Sequence, residues 1–361
     1  MPGISSEYKY SSETSKIQVE NKPSILIIYT GGTIGMVQKS ANGILVPVKF
    51  DQIQEEVPEL DRLGYNLQVF TFTPPIDSSN MTPAIWVKIA NTIERNYSKY
   101  DGFVILHGTD TMAYTASALS YMFENLDKPI VLTGSQLPIG ILRTDGKENL
   151  ITSIQIAAAR INGQAVVPEV CVYFNSKLFR GNRISKRHAD DFRAFSSPNY
   201  PELANAGVEI KYFQENIHRS VNKGILKVRT NFDENVVILK IFPGIGRMVF
   251  ENILNIPGLK GVVLESFGSG NIPTARWMIS QIKIAIKRRI IFLNVTQCQG
   301  GAVNMGQYET SAELLNAGVV SGKDMTTEAA ITKLMFLLGQ GLEQEEIKLH
   351  LNKSLIGEIS E

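Results

Sequence analysis

The stretch "SILIIYTGGTIGM", residues 24–36, decides the fold class. Its first six residues are largely apolar and rich in isoleucine, which is typical of a strand buried on both faces of a sheet. Gly31 and Gly32 then end the run, and Thr33 follows them directly. Glycines at this position let the backbone turn sharply and approach a ligand closely. The stretch therefore predicts a parallel strand that ends in a functional loop.

The glycines suggest a phosphate-binding loop, but the neighbouring residues do not match one. A Walker loop requires lysine and a hydroxyl residue after its last glycine, and the dinucleotide fingerprint requires the spacing GxGxxG. Here Thr33 is followed by Ile34, and "GGTIG" has neither pattern. Two interpretations stay open, namely a loop that presents the Thr33 hydroxyl and an ordinary turn with a structural threonine.

Further strand-like runs alternate with helix-like stretches in the first 213 residues. Alternation of this kind implies parallel crossover units, with helices on both faces of the sheet. It predicts a large N-terminal α/β domain with a mainly parallel sheet. The strand-like runs are "NLQVFTF" (66–72), "GFVILHG" (102–108), "PIVLTGS" (129–135) and "CVYFNS" (171–176), and "AYTASALSYMFENL" (113–126) is the clearest helix.

A polar, broken segment then precedes a second and shorter α/β series, which predicts a smaller C-terminal α/β domain with a parallel sheet. Its strand-like runs are "VVILKIFPG" (236–244), "GVVLESFGSGN" (261–271) and "IIFLNVTQ" (290–297), and its helices are "RWMISQIKIAIKR" (276–288) and "EAAITKLMFLLGQG" (328–341). We therefore divide the chain into a polar arm (1–22), an N-terminal domain (23–213), a linker (214–235) and a C-terminal domain (236–361).

The composition argues against several classes of function. The 361 residues contain 36 basic and 35 acidic side chains, a net charge of +1. This leaves no basic surplus to neutralise the phosphates of a nucleic acid. There is no apolar run near the roughly 20 residues that span a bilayer, and residues 1–22 lack the apolar core of a secretory signal. Cys171 and Cys298 lie in apolar surroundings, which we interpret as buried thiols in the cytoplasm. The four histidines have no metal-ligand spacing, so we expect no metal.

Polar residues collect where the predicted strands end, and parallel sheets bind ligands at that edge. A threonine nucleophile there would need a base and a stabilised oxyanion. The plainer interpretations are that Asp110 and Thr111 cap a helix, that His107 is a satisfied strand-end residue and that Lys186 is solvated. The polar segments are "TGGT" (30–33), "TPPIDSSN" (73–80), "HGTDTM" (107–112), "TGSQLP" (133–138) and "RGNRISKRHADDFRAFSSPN" (180–199).

Six segments in order resemble the bacterial L-asparaginase family, in particular its cytoplasmic type I branch. The resemblance covers the chain from about residue 24 to its end. It implies hydrolysis of L-asparagine to L-aspartate and ammonia without a cofactor. It also implies a homodimer or homotetramer in which a neighbouring subunit completes each site. The six segments are "YTGGTIGM", "PPIDSSNMTP", "LHGTDTMAYTASALSYM", "VLTGSQLP", "RGNRISKRHADDFRAFSSPN" and "LNVTQC".

The resemblance also implies which residues are catalytic. Thr33 would attack the side-chain amide carbon and form an acyl ester, which water then hydrolyses. Thr109, Asp110 and Lys186 match a second polar cluster, in which Thr109 positions or activates the water and Lys186 holds the proton network. Which group deprotonates Thr33 stays open, because a lysine ammonium is a donor and not a base.

The implied substrate-binding residues suit a zwitterion, which needs an acceptor for its ammonium and donors for its carboxylate. Asp77 and Ser78 match the pair that holds these groups, Ser79 contributes its backbone, and Thr109 and Asp110 face the substrate. Asn271 matches the asparagine that the partner subunit supplies, although by itself it is a turn residue after glycine.

Two features depart from the family pattern. The segment "VQKSANGILVPV" (37–48) has isoleucine and leucine where relatives carry a mobile lid tyrosine. Some cytoplasmic members also bind asparagine at a second, allosteric site. Thr296 and Cys298 match its surroundings, but Glu265 replaces an arginine that could hold a carboxylate with a forked bond. We therefore expect that this allosteric switch does not operate.

Three alternative functions are compatible with these residues. The chain could be a glutaminase, or the ammonia-producing subunit of a transfer-RNA amidotransferase. The second usually has an extra N-terminal domain, for which a 22-residue arm is too short. It could also be a non-catalytic sensor that binds an amino acid, as the missing lid tyrosine would allow. The retained hydroxyl, carboxylate and lysine set favours the enzyme.

Overall fold

A computed structural model describes residues 22–38, 45–47, 50–220, 224–306 and 309–360. The helices, in chain order, are α1 Phe50–Glu56, α2 Pro83–Asn96, α3 Met112–Met122, α4 Gly146–Ala158, α5 Arg247–Leu254, α6 Arg276–Lys287, α7 Glu309–Ala317, α8 Thr327–Gly339 and α9 Gln344–Leu351. Short 3₁₀ turns cover Thr33–Gly35, Pro58–Leu63, Ser78–Asn80, Gly181–Arg183 and Gln214–Asn216.

The strands are short, and many of them have two or three residues. In chain order they are β1 Ser24–Tyr29, β2 Met36–Gln38, β3 Leu45–Pro47, β4 Asn66–Thr71, β5 Gly102–Leu106, β6 Phe123–Glu124, β7 Ile130–Thr133, β8 Arg160–Ile161, β9 Gln164–Ala165, β10 Val170–Phe174, β11 Lys177–Arg180, β12 Ser185–Lys186, β13 Phe195–Ser196, β14 Ala204–Ala206, β15 Ile210–Tyr212, β16 Lys227–Val228, β17 Val236–Lys240, β18 Gly261–Ser266, β19 Ile291–Thr296 and β20 Val320–Ser321.

The N-terminal domain is built on an eight-stranded sheet with the order β15-β14-β11-β10-β7-β5-β1-β4. The five strands from β10 to β4 are parallel, and β11, β14 and β15 continue the sheet antiparallel. Alternate residues of β1 belong to different cores. Ile25 and Ile27 pack in the core that includes α4, and Leu26 and Ile28 in the core that includes α2 and α3. This confirms a mainly parallel sheet between helices.

The C-terminal domain contains four parallel strands in the order β17-β18-β19-β20. Side chains of α5 and α6 cover one face, and those of α8 and α9 cover the other. Tyr121 of α3, in the N-terminal domain, packs in the core that contains α8 and α9. This core therefore joins the two domains. The predicted smaller parallel α/β domain is confirmed.

Two local expectations were wrong. The helix expected over 113–126 ends at Met122, because β6 pairs antiparallel with β16, a strand contributed by the distant segment before the second domain. Cys298 is an exposed free thiol, whereas Cys171 is buried in β10 as expected. Cys298 lies in the loop that follows β19, so its apolar neighbours in sequence end at the buried strand and do not cover it.

Candidate active site

The loops after β1 and β5 touch at two glycines. The amide and hydroxyl of Thr30 both donate to the Leu106 carbonyl oxygen, at 3.0 and 2.8 Å. Gly32 has a φ of 94°, and a Cβ placed on it would lie 2.5 Å from the Gly108 nitrogen. Only glycine fits this position, because both its conformation and its contact exclude a side chain. The contact places partly buried Thr33, the next residue, beside the loop that carries Thr109.

Tyr29 fixes the same loop from the other side. Its hydroxyl donates to the Gly35 carbonyl oxygen at 2.9 Å, and its ring is fully buried. Burial raises the pKa of the Tyr29 phenol to about 12. Its hydroxyl is therefore used in holding the turn that begins at Thr33. The segment in which relatives carry the lid tyrosine, residues 37–48, lies largely outside the described residues.

The segment 76–79 forms the third wall of the site. The Ile76 amide donates to the Thr30 carbonyl oxygen at 2.7 Å. A Cβ on Gly108 would lie 2.4 Å from Oγ of Ser78, so the buried Ser78 hydroxyl lies directly against the β5 loop. Exposed Asp77 accepts a hydrogen bond from the Ser79 amide at 2.9 Å. Of the residues predicted to bind substrate, Ser78 therefore lies against the loop of Thr109, and Asp77 and Ser79 flank it in the chain.

Lys186 reaches the β5 loop from β12. Its Nζ atom donates to Oγ1 of Thr109 at 2.8 Å and to Oδ1 of Asp110 at 2.7 Å. The Lys186 side chain is 17% exposed and that of Asp110 is 65% exposed. Lys186 pairs with Phe195 in β13, in a ladder of only two residues. The predicted Thr-Lys-Asp cluster is thus assembled in a single chain.

Gln136 joins this cluster, although no role was expected for it from its place in "TGSQLP". Its side-chain oxygen accepts from the Thr109 hydroxyl at 3.4 Å. Its amide nitrogen donates to the carbonyl oxygens of Ala189 and Asp191, at 3.1 and 3.0 Å. Gln136 follows the strand β7, so its position at a strand end was the available signal. It links the Thr109 hydroxyl to the loop that follows Lys186.

The capping interpretation of "HGTDTM" is wrong for both side chains. Thr111 precedes α3, but its hydroxyl makes no cap and donates to the Ser78 carbonyl oxygen at 2.7 Å. The Asp110 carboxylate pairs with Lys186. Both groups connect loops of the site and leave the helix N-terminus without a side-chain cap.

His107 is a satisfied buried residue, as the plainer interpretation had it. Its Nδ1 lies 2.7 Å from the Gly108 carbonyl oxygen, so this nitrogen carries the proton. Its Nε2 accepts from the Thr115 hydroxyl at 2.9 Å, and the oxygen of that hydroxyl accepts from the Trp86 indole at 3.0 Å. Burial lowers the pKa of His107 from 6.5 to about 4. Within the described residues, no group of three His, Cys, Asp or Glu side chains could hold a metal ion.

The remaining predicted residues lie in the C-terminal domain. The Asn271 backbone pairs with Phe267 in a turn after β18. Glu265 accepts from the Thr327 hydroxyl at 2.6 Å and pairs with Lys240 at 3.5 Å. Thr296 accepts from the Cys298 amide at 3.0 Å. Their suggested roles, in a partner's active site or an allosteric site, stay predictions.

Two family models together match most of the chain. Residues 24–218 match the N-terminal asparaginase domain, and residues 235–350 match the glutaminase/asparaginase C-terminal domain. The chain belongs to the asparaginase family. L-asparaginase 1 of Escherichia coli K12 is 44% identical over 343 residues, which cover 94% of this chain and 98% of that one. The resemblance inferred from the six segments is confirmed.

A solved structure and a longer relative extend the comparison. The crystal structure of L-asparaginase I from Vibrio cholerae is 43% identical, with a TM-score of 0.84 over 94% of this chain and all of that one. The mouse 60 kDa lysophospholipase is 42% identical over 93% of this chain, but this chain covers only 62% of it. L-asparaginase homologues over nearly the full chain support an L-asparaginase enzyme, and the mechanism and the preference among related amides are argued from the site. Among the described residues, no helix is both long and apolar enough to cross a membrane.

Proposed function

We propose that the chain hydrolyses the side-chain amide of L-asparagine to L-aspartate and ammonia, with Thr33 as the nucleophile. The observation that carries the proposal is the meeting of three loops at one edge of the sheet. Gly32 contacts Gly108, and Gly108 contacts Ser78. Hydroxyl, carboxylate and ammonium groups thereby surround the place where a small zwitterion would bind.

The first half of the reaction forms an ester. Oγ1 of Thr33 bonds to the amide carbon while its proton is transferred to a nearby base, and the carbonyl oxygen becomes an oxyanion. The carbon–nitrogen bond then breaks, and the nitrogen leaves as ammonia after it takes up a proton. Two glycines precede Thr33, and because they lack side chains the loop that presents its hydroxyl packs directly against Ile76 and Gly108.

The second half of the reaction regenerates the threonine. Water attacks the ester carbon, the bond to the Thr33 oxygen breaks, and that oxygen recovers a proton. Thr109 is suited to hold this water, because Lys186 donates to its oxygen and Gln136 accepts from its hydroxyl. A hydroxyl fixed between a donor and an acceptor has one orientation, which places its remaining lone pair in a defined direction.

Substrate recognition would use the segment 77–79. The Asp77 carboxylate is an acceptor for the α-ammonium group, and the Ser78 hydroxyl is a donor to the α-carboxylate. Ser78 is buried where the three loops meet, so its side chain has little freedom to move away from the site. An amino acid bound in this way would present its side-chain amide toward Thr33.

A second copy of the chain belongs to the proposal. Asp110 is 65% exposed although it pairs with Lys186, so one side of the cluster stays open to solvent. We propose that a homodimer covers this side, that a neighbour's Asn271 takes part in substrate binding, and that two dimers can form a tetramer. Sedimentation of the purified protein, with and without aspartate, tests the assembly.

The direct test is ammonia release from L-asparagine by wild type, Thr33→Ala and the control Thr92→Ala. Thr92 carries an equivalent hydroxyl on α2, which donates to the Lys88 carbonyl oxygen at 2.8 Å. We expect Thr33→Ala to lose about 10⁴-fold or more in kcat and Thr92→Ala to keep normal turnover. Retained turnover in Thr33→Ala would rule out the nucleophile.

The rate on glutamine distinguishes an asparaginase from the alternative functions. One methylene changes binding in a pocket by about 1–3 kcal/mol, so asparagine should be preferred by roughly 10- to 200-fold in kcat/KM. A preference for glutamine would instead favour a glutaminase or an ammonia-producing amidotransferase subunit. Calorimetric binding of asparagine with no ammonia formed would favour a sensor.

We also propose that the enzyme is cytoplasmic and lacks asparagine control through Glu265. The cytoplasmic assignment is supported by two cysteines that are both free. The absence of asparagine control is supported by the Glu265 carboxylate, which is bonded to Thr327 and Lys240 and would repel the carboxylate of a ligand. A hyperbolic dependence of rate on asparagine concentration is expected, and a sigmoidal one would contradict it. Cell fractionation tests the location.

A further inference from the structure

The residue before Lys186 is attached to the other domain. The Ser185 hydroxyl donates to Oε2 of Glu328 at 2.8 Å. Glu328 lies in the first turn of α8, in the C-terminal domain, and 143 positions separate the two residues in sequence. The two-residue strand that carries Lys186 is therefore held from outside its own domain.

Glu328 is well placed to act as a fixed anchor. The Thr326 hydroxyl oxygen accepts from the Ala329 amide at 3.1 Å and caps α8. A carboxylate near a helix N-terminus is stabilised by the helix dipole. Removal from solvent raises the pKa of the Glu328 carboxyl, and Glu265 nearby raises it further. Because α8 packs along α3, which starts two residues after Asp110, the anchor and the β5 loop belong to one packed unit.

A second attachment lies two residues earlier. Arg183 is 1% exposed and donates to Oδ2 of Asp324 at 3.0 Å and to the Glu358 carbonyl oxygen at 2.7 Å. The backbone from Arg183 to Ser185 is thus held by the C-terminal domain at both ends. Lys186 is the next residue, and its own ammonium bonds lead back to the N-terminal domain.

We propose that Glu328, acting through Ser185, is a positioning residue for Lys186, an inference that rests on the proposed function of that lysine. The Nζ atom of Lys186 must reach Thr109 and Asp110 together. A strand of two residues has little pairing of its own to fix its path. Loss of the Ser185–Glu328 bond lets the strand shift, and misplacement of a catalytic group by about 1 Å can cost ~100-fold in rate.

The kinetic test compares Glu328→Ala, Glu328→Gln and Ser185→Ala with wild type on L-asparagine. Glu328→Ala and Ser185→Ala should each lower kcat by about 10- to 100-fold with KM changed less than about twofold, because Asp77 and Ser78 are untouched. Glu328→Gln should stay within about threefold of wild type, because its amide oxygen still accepts from Ser185. The double variant Ser185→Ala/Glu328→Ala should be no slower than Glu328→Ala alone.

The matched control is Thr327→Val, which removes the neighbouring hydroxyl bond to Glu265 in the same helical turn. It perturbs the start of α8 equally but leaves Ser185 and Glu328 in contact, so kcat should be unchanged. Equal losses in Thr327→Val and Glu328→Ala would overturn the proposal, because the effect would then come from general loosening of α8. If Glu328→Ala fails to fold, Ser185→Ala decides by the same criterion.

Crystal structures of Ser185→Ala and Glu328→Gln give a measurement that needs no turnover. We expect the Lys186–Thr109 bond, 2.8 Å in the native chain, to be broken or lengthened in Ser185→Ala and kept in Glu328→Gln. An unchanged bond in Ser185→Ala would overturn the positioning role even if the enzyme is an asparaginase. A broken bond with no ammonia release from wild type would keep the positioning role and remove the proposed function.

Discussion

Lys186 and Thr109 meet at 2.8 Å between Nζ and Oγ1, although they lie 77 positions apart in the chain. Asp110 accepts a second bond from the same ammonium at 2.7 Å. The contact requires β12 to lie beside the end of β5. The bond from Lys186 helps to fix the direction of the Thr109 hydroxyl at the end of β5.

Replacement of Lys186 by methionine should nearly abolish turnover. The variant keeps the length of the side chain and removes the donor to Thr109, so we expect kcat to fall by about 10²- to 10⁴-fold. The control is Lys177→Met, which removes a lysine of β11 that pairs with Glu202 and has a side chain 44% exposed. Steady-state ammonia release measures both. A Lys186→Met enzyme as active as Lys177→Met would contradict the role.

Asp77 should affect substrate binding and stability in separable ways. Asp77→Asn keeps an oxygen to accept from the Ser79 amide, so the melting temperature should hold, but KM should rise about 10- to 100-fold as the substrate ammonium loses its charged partner. Asp77→Ala should raise KM similarly and also destabilise the fold by about 1 kcal/mol, because the capping bond is lost. Thermal melts and saturation kinetics separate the effects, and a normal KM in both variants would exclude Asp77 from binding.

Gly108→Ala should damage the site through Ser78. The new Cβ would lie 2.4 Å from Oγ and 2.7 Å from Cβ of Ser78, so the buried serine must move. Overpacking of this kind costs about 1–3 kcal/mol, and the moved hydroxyl should raise KM. Gly246→Ala is the control, because a Cβ there meets nothing within 4 Å. Normal saturation kinetics in Gly108→Ala would argue against a substrate contact by Ser78.

Stability should fall at mildly acidic pH because of His107. Its folded pKa of about 4 lies below the ordinary value of 6.5, so the unfolded chain binds a proton that the folded chain excludes. This contribution is complete above pH 6.5 and is lost as pH falls toward 4, by about 2 kcal/mol between pH 7 and 5. Urea unfolding should show a smaller loss for His107→Gln over that range. An equal loss would mean that other groups carry the pH dependence.

The parallel strands could be predicted because a strand buried on both faces is a nearly continuous run of apolar residues. The run 24–29 coincides with β1, and Ile25 and Leu26 are both buried on opposite faces. The antiparallel strands β14 and β15 have three residues each and are only partly buried, so their sequence carries no comparable signal. The place of β14 is set by its pairing with β11, and the place of β15 by its pairing with β14, which are tertiary effects.

The residues of the candidate site that lie in the strand-end motifs could be predicted from the sequence. Thr33, Ser78 and Thr109 follow strand ends that the alternating pattern locates, and the sheet brings those ends together. The bond from Ser185 to Glu328 had no sequence signal, because it joins residues 143 positions apart in different domains. Exposure of Cys298 was missed because apolar neighbours in sequence do not report where a loop leaves the sheet.

The most direct test of the account is to find the acyl group itself. Wild-type enzyme is mixed with L-asparagine, quenched in acid within one turnover, digested and examined by mass spectrometry. An aspartyl ester should be found on the peptide that contains Thr33, and it should be absent from Thr33→Ala and accumulate in Lys186→Met. An ester on Thr109, or ammonia release by Thr33→Ala at the wild-type rate, would contradict the role of Thr33 as the nucleophile.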